Sequence, residues 1–111
     1  MAKNTVELLD AKEFAQRLET SAAKRILLDV RTPREWKNDG RLANAVLIPI
    51  QEIEGRVNEL PRDAEILVYC AHGNRSRSVA NWLIQLGYPS VSDMVGGIEL
   101  WMRAGLPVER G

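Results

Sequence analysis

Apolar residues along this chain recur in two alternating patterns, compact runs and spacings of three or four. Asp10 and Glu13 form a capping-box-like start, after which Ala11, Phe14, Ala15 and Leu18 mark one face of a helix. Ile26 to Val30 is a compact apolar run, the pattern of a strand buried on both faces. Thr32, Pro33 and Glu35 then supply an N-cap, a proline at the first helical position and a glutamate three residues past the cap, and Gly40 ends the helix they start. Ala45 to Ile48 reads as a strand closed by Pro49. Ile53, Val57 and Leu60 line a helical face that ends at Pro61, with Gly55 as an unfavourable interior residue.

Glu65 to Tyr69 is the next strand. From Ser76 onward, Val79, Leu83 and Leu86 mark an apolar helical face opposite Arg77, Asn81 and Gln85, with Gly87 as the C-cap. Ser90 to Val95 reads as a further strand, and Ile98 to Ala104 as a last helix stopped by Gly105 and Pro107. Strand and helix alternating in this way imply an α/β fold with a mostly parallel sheet and helices on both faces. Ligands of such sheets bind beyond the carboxyl ends of the strands.

At 111 residues, 45% hydrophobic and 27% charged, the chain fits one folded domain (1–111) rather than a disordered segment. Fifteen basic residues balance fifteen acidic ones, which gives no electrostatic footing for a nucleic acid or a membrane surface. The single cysteine excludes an internal disulfide, and residues 1–7 lack the apolar core of a secretory signal. The longest apolar stretch, Leu42 to Ile50, is interrupted and too short to span a bilayer. A cytoplasmic protein is expected. One cysteine and one histidine do not complete a Cys/His metal site, so no metal is expected either.

That one cysteine, Cys70, stands between the end of a strand and the start of a helix. The segment Ala71, His72, Gly73, Asn74, Arg75, Ser76 follows it. Gly73 lets the backbone curl, a curled loop turns N–H groups inward, and the helix start adds its positive end. A free thiol has a pKa near ~8.5 and is mostly protonated at neutral pH; such a cradle favours the thiolate. A core cysteine would need no glycine and polar residues behind it. Arg75 is a candidate anion binder, Ser76 a helix cap or a donor to the sulfur, and His72 a rim residue rather than the base of a dyad. Asn74 is a turn former, and Arg77 lies on the solvated helix face. Asp29, at the end of an apolar strand, reads as an anchor paired with Arg31, Arg75 or loop N–H groups. Gly96 and Gly97 fit either a second loop at the site or a plain turn.

The residues resemble a known family in order along nearly the whole chain. Ile26 to Trp36 resembles the entry motif of rhodanese domains, and Gly40 to Pro49 the stretch after it. Val68 to Ser76 resembles the active-site loop, and Leu86 to Val91 and Val95 to Pro107 the closing motifs. The resemblance implies a rhodanese-like three-layer fold with a five-stranded, mostly parallel sheet. It implies a thiosulfate sulfurtransferase that needs no cofactor. Cys70 would take the outer sulfur of thiosulfate as a persulfide and pass it to cyanide or a thiol. Ala71 to Ser76 would cradle the sulfur, Arg75 and His72 would meet the anionic donor, and Asp29 and Arg31 would brace the loop. Arg41 and Leu42 replace the frequent histidine and isoleucine of the family, and Asn44 stands where glycine is common. A persulfide carrier relaying sulfur between partner proteins needs the same loop. Phosphatases and arsenate reductases resemble it too, but use a loop one residue longer than the four residues between Cys70 and Arg75.

Overall fold

The computed structural model describes residues 5–111. The reading of the N-terminal segment as free of a signal core falls partly on residues 1–4, outside those described. The sheet has five strands, β1 (Glu7–Leu9), β2 (Arg25–Asp29), β3 (Val46–Leu47), β4 (Glu65–Tyr69) and β5 (Val91–Met94). All pair in parallel, in the order β1-β5-β4-β2-β3. The helices are α1 (Ala11–Glu19), α2 (Pro33–Asn38), α3 (Ile53–Arg56), α4 (Asn74–Gln85) and α5 (Gly97–Arg103).

Each face of the sheet carries its own core. Leu28, Val30, Ile66 and Val68 pack with Ile53 of α3 and Val79, Ala80 and Leu83 of α4. Leu27, Leu67, Tyr69 and Met94 pack on the other face with Phe14 of α1 and Trp101 of α5, whose rings meet edge to face at 6.4 Å. The two-sided burial of β2 and β4 is why both read as continuous apolar runs.

Both anticipated capping boxes form. Asp10 accepts from the Glu13 N–H at 2.8 Å while Glu13 accepts from the Asp10 N–H at 2.9 Å. Thr32 and Glu35 do the same at the start of α2. Four points depart from the sequence reading. β1 is added at an edge, paired to β5. β3 is two residues long. The segment around Gly55 is one turn of α-helix between two 3-10 turns, Ile50–Glu52 and Val57–Glu59. Finally, α4 starts at Asn74 rather than Ser76, behind Gly73 with φ of 100°. Asn44 also has a positive φ, 68°, a backbone conformation that glycine and asparagine tolerate best.

The chain order places the site. β2 leads to β3 on one side and β4 leads to β5 on the other, so the connections leaving β2 and β4 diverge. A crevice opens there, at the switch point beyond the carboxyl ends of these two strands. Among the described residues no helix is long and apolar enough to cross a membrane.

Candidate active site

β4 ends at Tyr69 and the chain turns sharply through Cys70–Gly73 into α4. The Cys70 sulfur lies at the focus of that turn. It accepts the Gly73 N–H at 3.1 Å and the Ser76 N–H at 3.3 Å, and its thiol donates to Ser76 Oγ at 3.3 Å. Cys70 is 1% exposed and one flank joins the core beneath α4, yet the sulfur faces amides and a hydroxyl. The cradle is thus half loop and half first turn of a helix. Asn74, Arg75 and Ser76 belong to that turn, where N–H groups have no helical carbonyl to bond.

The loop's carbonyls point the opposite way, into the start of α5. Ile98 N–H donates to the Cys70 carbonyl at 2.9 Å and Glu99 N–H to the Ala71 carbonyl at 3.2 Å. With the carbonyls fixed behind, the Gly73 and Ser76 amides are turned towards the sulfur, and no other amide of the segment bonds it among the described residues. Gly96 and Gly97, with φ of 80° and 65°, bring α5 close enough for this. They therefore form a brace against the cysteine loop, beyond what a plain turn requires.

Asp29 and Arg31 form a buried unit. The carboxylate accepts Arg31 N–H at 2.9 Å, Nε at 3.0 Å and the Nη2 group at 2.7 Å, and Nη2 also donates to the Gly40 carbonyl at 2.8 Å. Asp29 thus takes both a loop N–H, that of Arg31, and the Arg31 guanidinium, whereas Arg75 bonds Glu35 instead. The guanidinium also lies over the Tyr69 ring, 5.6 Å from its centre.

Arg75 is engaged with Glu35, to which it donates two parallel bonds of 2.8 Å. Glu35 also accepts the N–H of Thr32, the N-cap of α2, and this double duty gave no signal in sequence beyond the capping box. The bonds from Arg75, opposed by burial and helped by Thr32, lower the Glu35 pKa to about 2. His72 stands on the rim, 67% exposed at its side chain, with Nε2 3.0 Å from a Glu99 carboxylate oxygen. Arg77 keeps the solvated face expected of it, with its side chain 43% exposed, while its Nε also donates to the buried Asp93 at 3.1 Å. An open cleft of about 470 Å³ adjoins the loop, bordered by Ala71 and His72 on one side and Arg31, Glu35 and Arg110 on the other.

The rhodanese-like domain model matches residues 10–104. The chain belongs to the rhodanese-like domain family. A protein of Allochromatium vinosum described as a sulfurtransferase is 36% identical over 103 residues, covering 93% of this chain and 94% of its own. The crystal structure of a rhodanese-related protein from Thermoplasma volcanium superposes with a TM-score of 0.81 at 36% identity, covering 93% of this chain and 97% of that one. A Rhodopseudomonas palustris protein of unknown function, described as a possible tyrosine phosphatase, is similar at TM-score 0.82 and 25% identity, covering 94% and 85%. In this rhodanese-like domain Cys70, Gly73 and Ser76 meet at one point, while Asp29 and Arg31 sit at the neighbouring strand end. Arg75 and His72 reach acidic partners at the mouth.

Proposed function

We propose that this rhodanese-like domain is a sulfurtransferase in which Cys70 carries the sulfur. The supporting observation is the sulfur's position, facing two backbone N–H donors at a helix start, where negative charge on sulfur is stabilised. The Cys70 thiolate attacks the outer sulfur of thiosulfate. The new S–S bond forms as the old one breaks, and sulfite leaves with the electron pair. Cyanide or a thiolate then attacks the outer persulfide sulfur and returns Cys70 as thiolate. The two cradle amides serve the sulfur in both half-reactions, Asp29 and Arg31 hold the strand end beside it, and no cofactor is required. The short loop disfavours phosphate ester hydrolysis, because a tetrahedral phosphate needs a wider cradle. A cytoplasmic setting fits the lone free thiol.

A second reading is favoured by one observation. Arg75 and His72 both face carboxylates, Glu35 and Glu99. A small dianion therefore meets no unpaired charge from these two groups. This suits a carrier that takes persulfide sulfur from a partner protein and passes it on.

Incubation with thiosulfate and cyanide tests the first reading. Thiocyanate release that disappears in Cys70→Ala supports it. A sulfur adduct by intact mass without turnover shifts the reading to the carrier. Neither adduct nor turnover, or hydrolysis of an aryl phosphate in their place, overturns both.

A further inference from the structure

The open cleft beside the cysteine loop is larger than thiosulfate or cyanide needs. Its volume of about 470 Å³ is of the size that holds an organic molecule. Most ionisable side chains on its wall are already engaged. Arg31 holds Asp29, Glu35 holds Arg75, and Glu99 meets both His72 and Arg103. Two cleft residues are left over. Among the described residues Asp39 and Arg110 take part in no ion pair, and they do not bond each other.

Both are placed by backbone bonds. Asp39 is the C-cap of α2, and its N–H donates to the Glu35 carbonyl at 2.9 Å. The helix ends there in unpaired carbonyls, so its carboxylate gains nothing from the helix and attracts a cation. Arg110 stands on the segment after α5. Arg41 and Glu109 exchange two backbone bonds, of 2.9 and 2.7 Å, and Trp101 Nε1 donates to the Pro107 carbonyl at 2.8 Å. These bonds hold the segment against Gly40. The Arg110 guanidinium lies over that glycine, its central carbon 3.6 Å from where a β-carbon would stand. Its Nη2 is 3.8 Å from the sulfur of Met102, another residue of the cleft. The rest of its donor fork has no partner among the described residues.

An unclaimed cation and an unclaimed carboxylate in one cleft, beside a sulfur-bearing loop, match a ligand with a carboxylate, an ammonium and a thiol. We propose that Asp39 and Arg110 select the sulfur acceptor, an amino-acid or short peptide thiol. Its ammonium meets Asp39 and its carboxylate meets Arg110. Its sulfur lies towards Ala71 and His72, the cleft residues that follow Cys70. The acceptor thiol gives its proton to water, and the thiolate attacks the outer sulfur of the Cys70 persulfide. A new S–S bond forms as the bond to Cys70 breaks, and Cys70 leaves as thiolate. Asp39 and Arg110 take no part in these bond changes; they determine which thiol is held. The inference rests on the sulfurtransferase reading above.

The test separates the two charges. Cys70 persulfide, formed with thiosulfate and freed of the excess, is mixed with four thiols. Cysteine carries both charges, cysteamine lacks the carboxylate, mercaptopropionate lacks the ammonium and mercaptoethanol lacks both. Loss of the added sulfur is followed by intact mass. Arg110→Gln should slow the reaction of cysteine and mercaptopropionate by about two- to fivefold without slowing cysteamine or mercaptoethanol. Asp39→Asn should slow cysteine and cysteamine by a similar factor and not the other two. Each thiol is compared with itself across the variants, so differences in thiol acidity cancel. Equal slowing of all four, or of none, overturns the proposal. A protein that takes up no sulfur from thiosulfate fails the earlier reading instead, and the cleft is then tested without sulfur chemistry. S-methylcysteine, which cannot accept sulfur, should bind the parent and bind each variant about two- to fivefold more weakly. Unchanged binding in the variants, or none in the parent, also overturns it.

Discussion

A β-carbon placed on Gly97 would stand 2.4 Å from the Ala71 carbonyl oxygen. No side chain fits there without moving the cysteine loop, and the backbone is also left-handed. Gly97→Ala should destabilise the fold by about 2–4 kcal/mol from overpacking and strain together. Gly105→Ala, at φ of 79° with open space around it, carries the strain alone and should lose about 1 kcal/mol. Urea unfolding of the two variants separates clash from strain. Equal losses would show that the brace tolerates displacement.

The Glu35–Arg75 pair makes stability depend on acid. Glu35 is lowered in the fold from 4.5 to about 2, chiefly by the bonds from Arg75. The stabilisation is therefore complete above pH 4.5 and is lost as pH falls through about 2. The advantage of the parent over Glu35→Gln should be greatest near neutrality and vanish at the acid end. Urea midpoints measured across that interval check it, and a constant gap between the two proteins would contradict it.

Asp29 and Arg31 are 0% and 1% exposed, so removing one strands the other. Asp29→Ala should cost about 3–5 kcal/mol, because a guanidinium remains in the interior without its carboxylate. The double change Asp29→Leu with Arg31→Met should recover part of that loss. Thermal unfolding of the three proteins measures both effects.

Tyr69 is fully buried, and its hydroxyl oxygen accepts the Leu42 N–H at 3.2 Å. Tyr69→Phe leaves that amide unpaired and should cost about 1–3 kcal/mol. Burial, reinforced by the charge of Asp29, raises the Tyr69 pKa far above the ordinary phenol value. In an alkaline titration followed by phenolate absorbance, this tyrosine should ionise only together with unfolding. Ionisation before any loss of secondary structure would refute the assignment.

Which of these features showed in the sequence depends on how local their physics is. The boxes at Asp10 and Thr32 are complete within four residues, and β2 and β4 announce themselves by two-sided burial. Cys70, Gly73 and Ser76 are likewise close neighbours. β1 is three residues at an edge and contains Glu7; only its pairing with β5 makes it a strand. The start of α4 was obscured because Gly73 caps it with no side-chain bond, while Asn74 has the look of a turn residue. The partners of Arg75 and Arg77 lie 40 and 16 residues away, and no spacing rule connects such pairs before the sheet order is known.

The backing of the cysteine loop by Ile98 and Glu99 also orders events during synthesis. A ribosome delivers the thiol well before it delivers the segment that fixes the thiol's surroundings. A nascent chain halted between the two would display an ordinary mercaptan. The backing of that loop would form late, once α5 has left the exit tunnel and docked.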